Sequence, residues 1–105
     1  MRHSVSFNRL IFEVVDDVLK QVFGERPAEV IYDFMEKFSH LKREEIAEKP
    51  EVFSAVLGKL LGSTGRLIER LILKNLCSRL QLEYEEKEGY SFSDYIKELR
   101  ERFER

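Results

Sequence analysis

The chain of 105 residues holds one cysteine, two prolines, two histidines and no tryptophan. The single Cys77 excludes an internal disulfide framework and fits a reducing, cytoplasmic setting. His3 and His40 have no partner in an H-x-x-x-H or C-x-x-C pattern, so no metal or other cofactor is expected. No apolar run approaches the roughly 20 residues that a membrane span needs. Glu13, Asp16 and Asp17 interrupt the apolar stretch near the start, which is not a signal peptide. An excess of one charge is missing as well. Eighteen basic and twenty acidic side chains leave a formal net charge of −2, too little field to draw the chain to nucleic acid or an anionic membrane. Two Asn and two Gln beside many Glu, Lys and Arg point weakly to a thermophilic source.

What is present suits a helical core. Hydrophobic residues make up 43% of the chain, with eight Phe and four Tyr, enough for one globular domain over residues 1–105. Phe7, Leu10, Ile11, Val14, Val18 and Val22 recur at three- and four-residue steps, which predicts a helix over 5–23 ended by Gly24. Pro27 suits the first turn of a second helix with Val30, Ile31, Phe34, Met35 and Phe38 on its apolar face, and His40 is placed to cap it. A single turn is expected around Ile46. Pro50 opens a third helix containing Gly58, where a larger side chain would obstruct close packing. The most apolar segment, about residues 64–82, is expected to be the central helix. Residues 83–89 form a charged connector able to hold a short irregular strand. Ser91 and Asp94 then resemble a capping box that opens a last helix with Phe92, Tyr95, Ile96, Leu99 and Phe103 on one face. The fold class is all-α, a bundle of five main helices.

Three of the five glycines, Gly58, Gly62 and Gly65, fall within eight residues. Leu61-Gly62-Ser63-Thr64-Gly65-Arg66 resembles the G-x-x-G loop of KH domains, whose glycines let a nucleotide backbone approach main-chain N–H groups. The middle residues here are Ser and Thr rather than basic, and the flanking periodicity leaves no place for the KH sheet. The favoured reading is a turn in which Gly62 ends one helix and Ser63 or Thr64 caps the next. The alternative is a binding site for a phosphate-bearing ligand or single-stranded nucleic acid, with Ser63, Thr64, Gly65 and Arg66 around a small anion at a helix start. Arg66, Arg70 and Lys74 follow at four-residue spacing and are expected to be solvated or ion-paired.

Catalytic signals are sparse, and an enzyme is not expected. Cys77 falls among Leu73, Leu76 and Leu80 and reads as a buried, inert thiol. Glu13 and Asp17, one helical turn apart, could share a cation but read as a polar face. Tyr32, Tyr84, Tyr90 and Tyr95 could line a pocket. Apolar surface exceeds what a five-helix core needs, and the double-width stripe at Ile11, Phe12, Val15 and Leu19 is the expected interface to a protein partner or a second copy.

Between Gly24 and Leu99, four segments carry a resemblance: Arg43 to Pro50, the Gly-x-x-Gly turn, Ile68 to Leu76, and Glu85 to Tyr95. On these the chain resembles a family of short, uncharacterised, all-helical archaeal proteins of unknown function. The resemblance implies a helical fold and a cytoplasmic setting, and it transfers no site. The resulting expectation is a non-catalytic helical protein-interaction module, possible as a homodimer.

Overall fold

In the computed structural model, which describes the backbone of residues 2–104 and the side chains of residues 7–104, the apolar periodicity winds into five helices. They are α1 (Arg2–Phe23), α2 (Glu25–Ser39), α3 (Pro50–Leu61), α4 (Thr64–Arg79) and α5 (Phe92–Glu104), with a 3₁₀ turn at Arg43–Glu45 just before Ile46. No strand occurs among the described residues, and residues 82–87 run as an irregular connector. His3 lies outside the described side chains.

The boundaries follow from local chemistry. Gly24 joins α1 to α2 at φ +95°, a conformation open mainly to glycine, and its N–H still donates to the Lys20 carbonyl at 2.8 Å. His40 stops α2 in the left-handed region at φ 52°, its N–H returning to the Glu36 carbonyl at 3.1 Å. α4 ends in a Schellman motif with Gln81 left-handed at φ 59°: the Leu82 N–H reaches Cys77 at 2.8 Å and that of Gln81 reaches Ser78 at 3.1 Å. That motif cuts the expected 64–82 helix three residues short. The Ser91–Asp94 box forms in both directions: the Asp94 N–H donates to Ser91 Oγ at 3.1 Å and the Ser91 N–H to Asp94 Oδ2 at 3.0 Å.

The chain is an all-α, single-domain bundle around one core. α1 packs against α2, α4, α5 and the 3₁₀ turn, while α3 packs against α2, α4 and α5. α4 packs on α1 and α3 and is buried on one side only, since Leu67 and Leu71 on its other side remain 55% and 45% exposed. Phe7, Ile11, Phe53, Leu57, Ile72 and Leu76 are among the fully buried side chains. The ring of Phe7 meets that of Phe103 at 5.4 Å, and Phe53 meets Phe92 at 5.8 Å, fastening α5 onto α1 and α3. Arg100 locks this end further. Its Nη2 donates to the Ala47 carbonyl at 2.9 Å, and its guanidinium lies 4.8 Å from the Phe7 ring centre.

The packing glycine is Gly65, not Gly58. A Cβ on Gly58 would meet nothing within 4 Å, whereas one on Gly65 would lie 3.0 Å from the Leu57 carbonyl oxygen. α4 therefore meets α3 at the second glycine of the G-x-x-G turn. Among the described residues no helix is long and apolar enough to cross a membrane.

Candidate functional site

The turn singled out from sequence is used internally. Gly62 has positive φ (59°) and ends α3 with its N–H on the Gly58 carbonyl at 2.9 Å. Ser63 and Thr64 are exposed, and Ser63 makes no side-chain capping bond, contrary to the capping expectation. Gly65 is buried against α3. Arg66 reaches Glu69, Nη1 to Oε1 at 3.3 Å, and lines an open depression with Gly62, Ser63 and Gly65.

Glu69 is the residue that sequence reasoning missed. It is 6% exposed, the sole buried charged residue among the described side chains. Its Oε2 accepts a close hydrogen bond from Ser54 Oγ on α3, and its Oε1 faces the guanidinium of Arg66. Spacing could have found it, because Gly65, Glu69, Ile72 and Leu76 follow one another at four-, three- and four-residue steps along the buried seam. The Glu69 carboxylate already takes one nitrogen of the Arg66 fork.

One turn further along α4 the molecule opens a groove of about 460 Å³ between α4, the connector and the start of α5. Arg66, Glu69 and Arg70 line one side, and Tyr84, Tyr90 and Tyr95 line the other. Three of the four tyrosines considered from sequence thus meet around one pocket. Ring centres are 5.9 Å apart for Tyr84–Tyr95 and 5.0 Å for Tyr90–Tyr95. Tyr32 is elsewhere, buried beneath α1, its hydroxyl donating to Asp16 Oδ1 at 2.9 Å.

Polar bonds hold the tyrosine wall in place. The Lys87 N–H donates to Tyr95 Oη at 2.7 Å, and the Tyr95 hydroxyl donates to the Lys87 carbonyl at 3.3 Å. Glu98 accepts from Lys87 Nζ at 2.5 Å and from the Tyr90 hydroxyl at 2.7 Å. These bonds, Lys87 first, hold the Glu98 carboxyl below its usual 4.5, and the same carboxylate raises Lys87 and Tyr90 above their ordinary values. Burial, then the neighbouring Tyr95 hydroxyl, pushes the Tyr84 phenol up. On the opposite wall Arg70 Nε pairs with Glu86 Oε2 at 2.7 Å, as the ion-paired reading of that stripe expects.

The remaining candidates sort plainly. Cys77 is buried, and that burial raises its thiol above the usual 9.0. Glu13 and Asp17 do share a cation: the Arg79 guanidinium, at 3.5 Å from Glu13 and in close contact with Asp17. No group of three His, Cys, Asp or Glu among the described residues is placed to hold a metal ion.

The α1 interface expectation is overturned by burial. Ile11, Val15 and Leu19 are 1%, 0% and 0% exposed, and Phe12 is half-buried. The helices packed around α1 cover Ile11, Val15 and Leu19, and Phe12 alone of the four keeps part of its surface outward. Outward apolar side chains lie on α2, on α4 at Leu67 and Leu71, and at Val22 near the end of α1; the most exposed are on α2. Ile31 and Met35 point into the core, while Val30 and Phe38 are 64% and 68% exposed, with the half-buried Phe34 stacked on Phe38 at 4.3 Å. No protein-family model, curated protein or solved structure matches the chain.

Proposed function

We propose that this chain is a non-catalytic, cytoplasmic helical interaction module that pairs with a second copy of itself through α2. The observation that carries the reading is the outward ridge of Val30, Phe34 and Phe38, spaced one turn apart along the helix. Phe34 is half-buried against the core, while Val30 and Phe38 on either side of it are exposed and have no role in the core of their own chain.

Charge selects the occupant. Asp33 and Lys37 flank the ridge on one side, both exposed and neither in an ion pair with another described residue. When two α2 helices cross antiparallel about Phe34, Val30 of each copy meets Phe38 of the other. Lys37 then comes alongside Asp33 of the other copy, twice by symmetry. The free, buried Cys77 agrees with a reducing compartment.

Covering three such side chains on each copy removes on the order of 500 Å² in total, well below the roughly 1,200 Å² of a standard stable interface. The expected dimer is therefore weak, with a Kd of roughly 10–100 μM. Sedimentation equilibrium across that range tests it. A reversible dimer that Phe38→Asp dissociates supports the reading, as does weakening by Lys37→Asp with rescue by Asp33→Lys in the same chain. A monomer at the highest concentration, or a dimer indifferent to both changes, overturns it.

A further inference from the structure

We propose that the groove between α4 and α5 binds a nucleoside phosphate, with Arg66 and Arg70 holding the phosphate and the tyrosine wall receiving the base. The inference is independent of self-association through α2, because the groove is built from α4, the connector and α5 alone.

Size comes first. A cavity of about 460 Å³ falls in the range that takes a small organic ligand. Its walls divide into two chemistries. Arg66 and Arg70 lie one turn apart on α4, so both forks can reach one phosphate group, and guanidinium geometry suits bidentate contact with phosphate oxygens. Neither fork is committed to a strong partner. Arg66 is 72% exposed and contacts Glu69 at 3.3 Å and Ser54 Oγ at 3.5 Å, while Arg70 is held by Glu86, itself 61% exposed on the connector, and by the Tyr84 hydroxyl. An exposed pair of this kind is weak, so an incoming phosphate can displace Glu86.

Opposite the arginines, Tyr90 is 40% exposed and stands edge-on to Tyr95. Leu73 and Phe92 supply an apolar floor. An aromatic ring laid on such a wall gains stacking without a specific hydrogen-bond code. The wall is preformed, since Tyr95 and Tyr90 are fixed by Lys87 and Glu98 before any ligand arrives.

The test is an amide chemical-shift titration of the full chain with adenosine monophosphate, alongside adenosine, inorganic phosphate and a short adenylate oligonucleotide. The expected result is saturable shifts at Arg66, Arg70, Tyr90 and Ser91 with a Kd of roughly 0.1–1 mM, weakening as salt rises. Adenosine and phosphate alone should each bind at least about tenfold more weakly. Tighter binding of the oligonucleotide at the same amides would assign the physiological source to a strand, and equal binding per phosphate to a free nucleotide. Arg70→Glu and, separately, Tyr90→Ala should each weaken binding at least about tenfold while the remaining spectrum stays native. Absence of saturable shifts, shifts confined to other surfaces, or binding unchanged in both variants overturns the proposal.

Discussion

A Cβ placed on Gly65 would lie 3.0 Å from the carbonyl oxygen of Leu57, a contact with main chain that no rotamer change can relieve. Gly65→Ala must push α4 off α3 and should cost about 1–3 kcal/mol. Gly58, seven residues earlier, has open space around its Cα and lies inside α3. Gly58→Ala should instead stabilise by about 0.5–1 kcal/mol through helix propensity. Urea unfolding of the two variants provides a paired check. Equal effects would mean that the close approach of α3 and α4 is not at Gly65.

The buried Glu69 carboxylate depends on Ser54 more than on Arg66. Ser54→Ala leaves one carboxylate oxygen without its hydroxyl donor in a site 6% exposed, and a loss of about 1–3 kcal/mol is expected. Arg66 is 72% exposed, so Arg66→Ala should cost about 1 kcal/mol or less. Thermal melts of both variants rank them. A larger loss from Arg66→Ala would reassign the support of Glu69.

Tyr32→Phe removes one hydroxyl and keeps the ring over which the Arg43 guanidinium sits at 4.0 Å. The lost bond to Asp16 should lower stability by about 1–2 kcal/mol. Burial, reinforced by the Asp16 bond, lifts the Tyr32 phenol far above its ordinary 10.0. In an alkaline absorbance titration Tyr32 should therefore ionise last, together with unfolding. Its ionisation ahead of the other tyrosines in the folded protein would contradict the buried bond.

The Lys87–Glu98 pair gives stability a defined pH window. Glu98 is depressed below 4.5 in the fold, so its contribution is present above that value and is lost as pH falls through the folded value. Lys87 is raised above 10.5, so its contribution is present below that value and is lost as pH rises through the folded one. Glu98→Gln should flatten the acid limb of a melting-temperature profile near pH 4. A side-chain carboxyl titration should place Glu98 below the ordinary 4.5, and a midpoint at or above that value would remove the effect.

The helices were legible because each carries its own punctuation. Gly24, Pro50 and the Ser91–Asp94 box mark boundaries through local chemistry, and the fold uses them as read. What a helix face meets is not local. The width of the α1 stripe was visible, but whether three neighbours or a second molecule covers it depends on where α4 and α5 return. The α2 face shows the same limit in reverse: Ile31 and Met35 satisfy the core, which leaves Val30 and Phe38 outside it. Gly58 and Gly65 were indistinguishable for the same reason, since a glycine's role is set by what crosses it. The tyrosine groove needed the irregular connector to fold back on α4, and no periodicity describes that path.

The contact between Phe7 and Phe103 has a consequence for how the chain is made. At the usual 5–20 residues per second, roughly 5–20 s separate the synthesis of the two rings. Until α5 is complete, the side of α1 that will meet Phe103 has no covering from its own chain. α1 is thus finished only by a helix made some ninety residues after it, and the nascent chain must carry bare apolar surface on α1 while everything between them is synthesised.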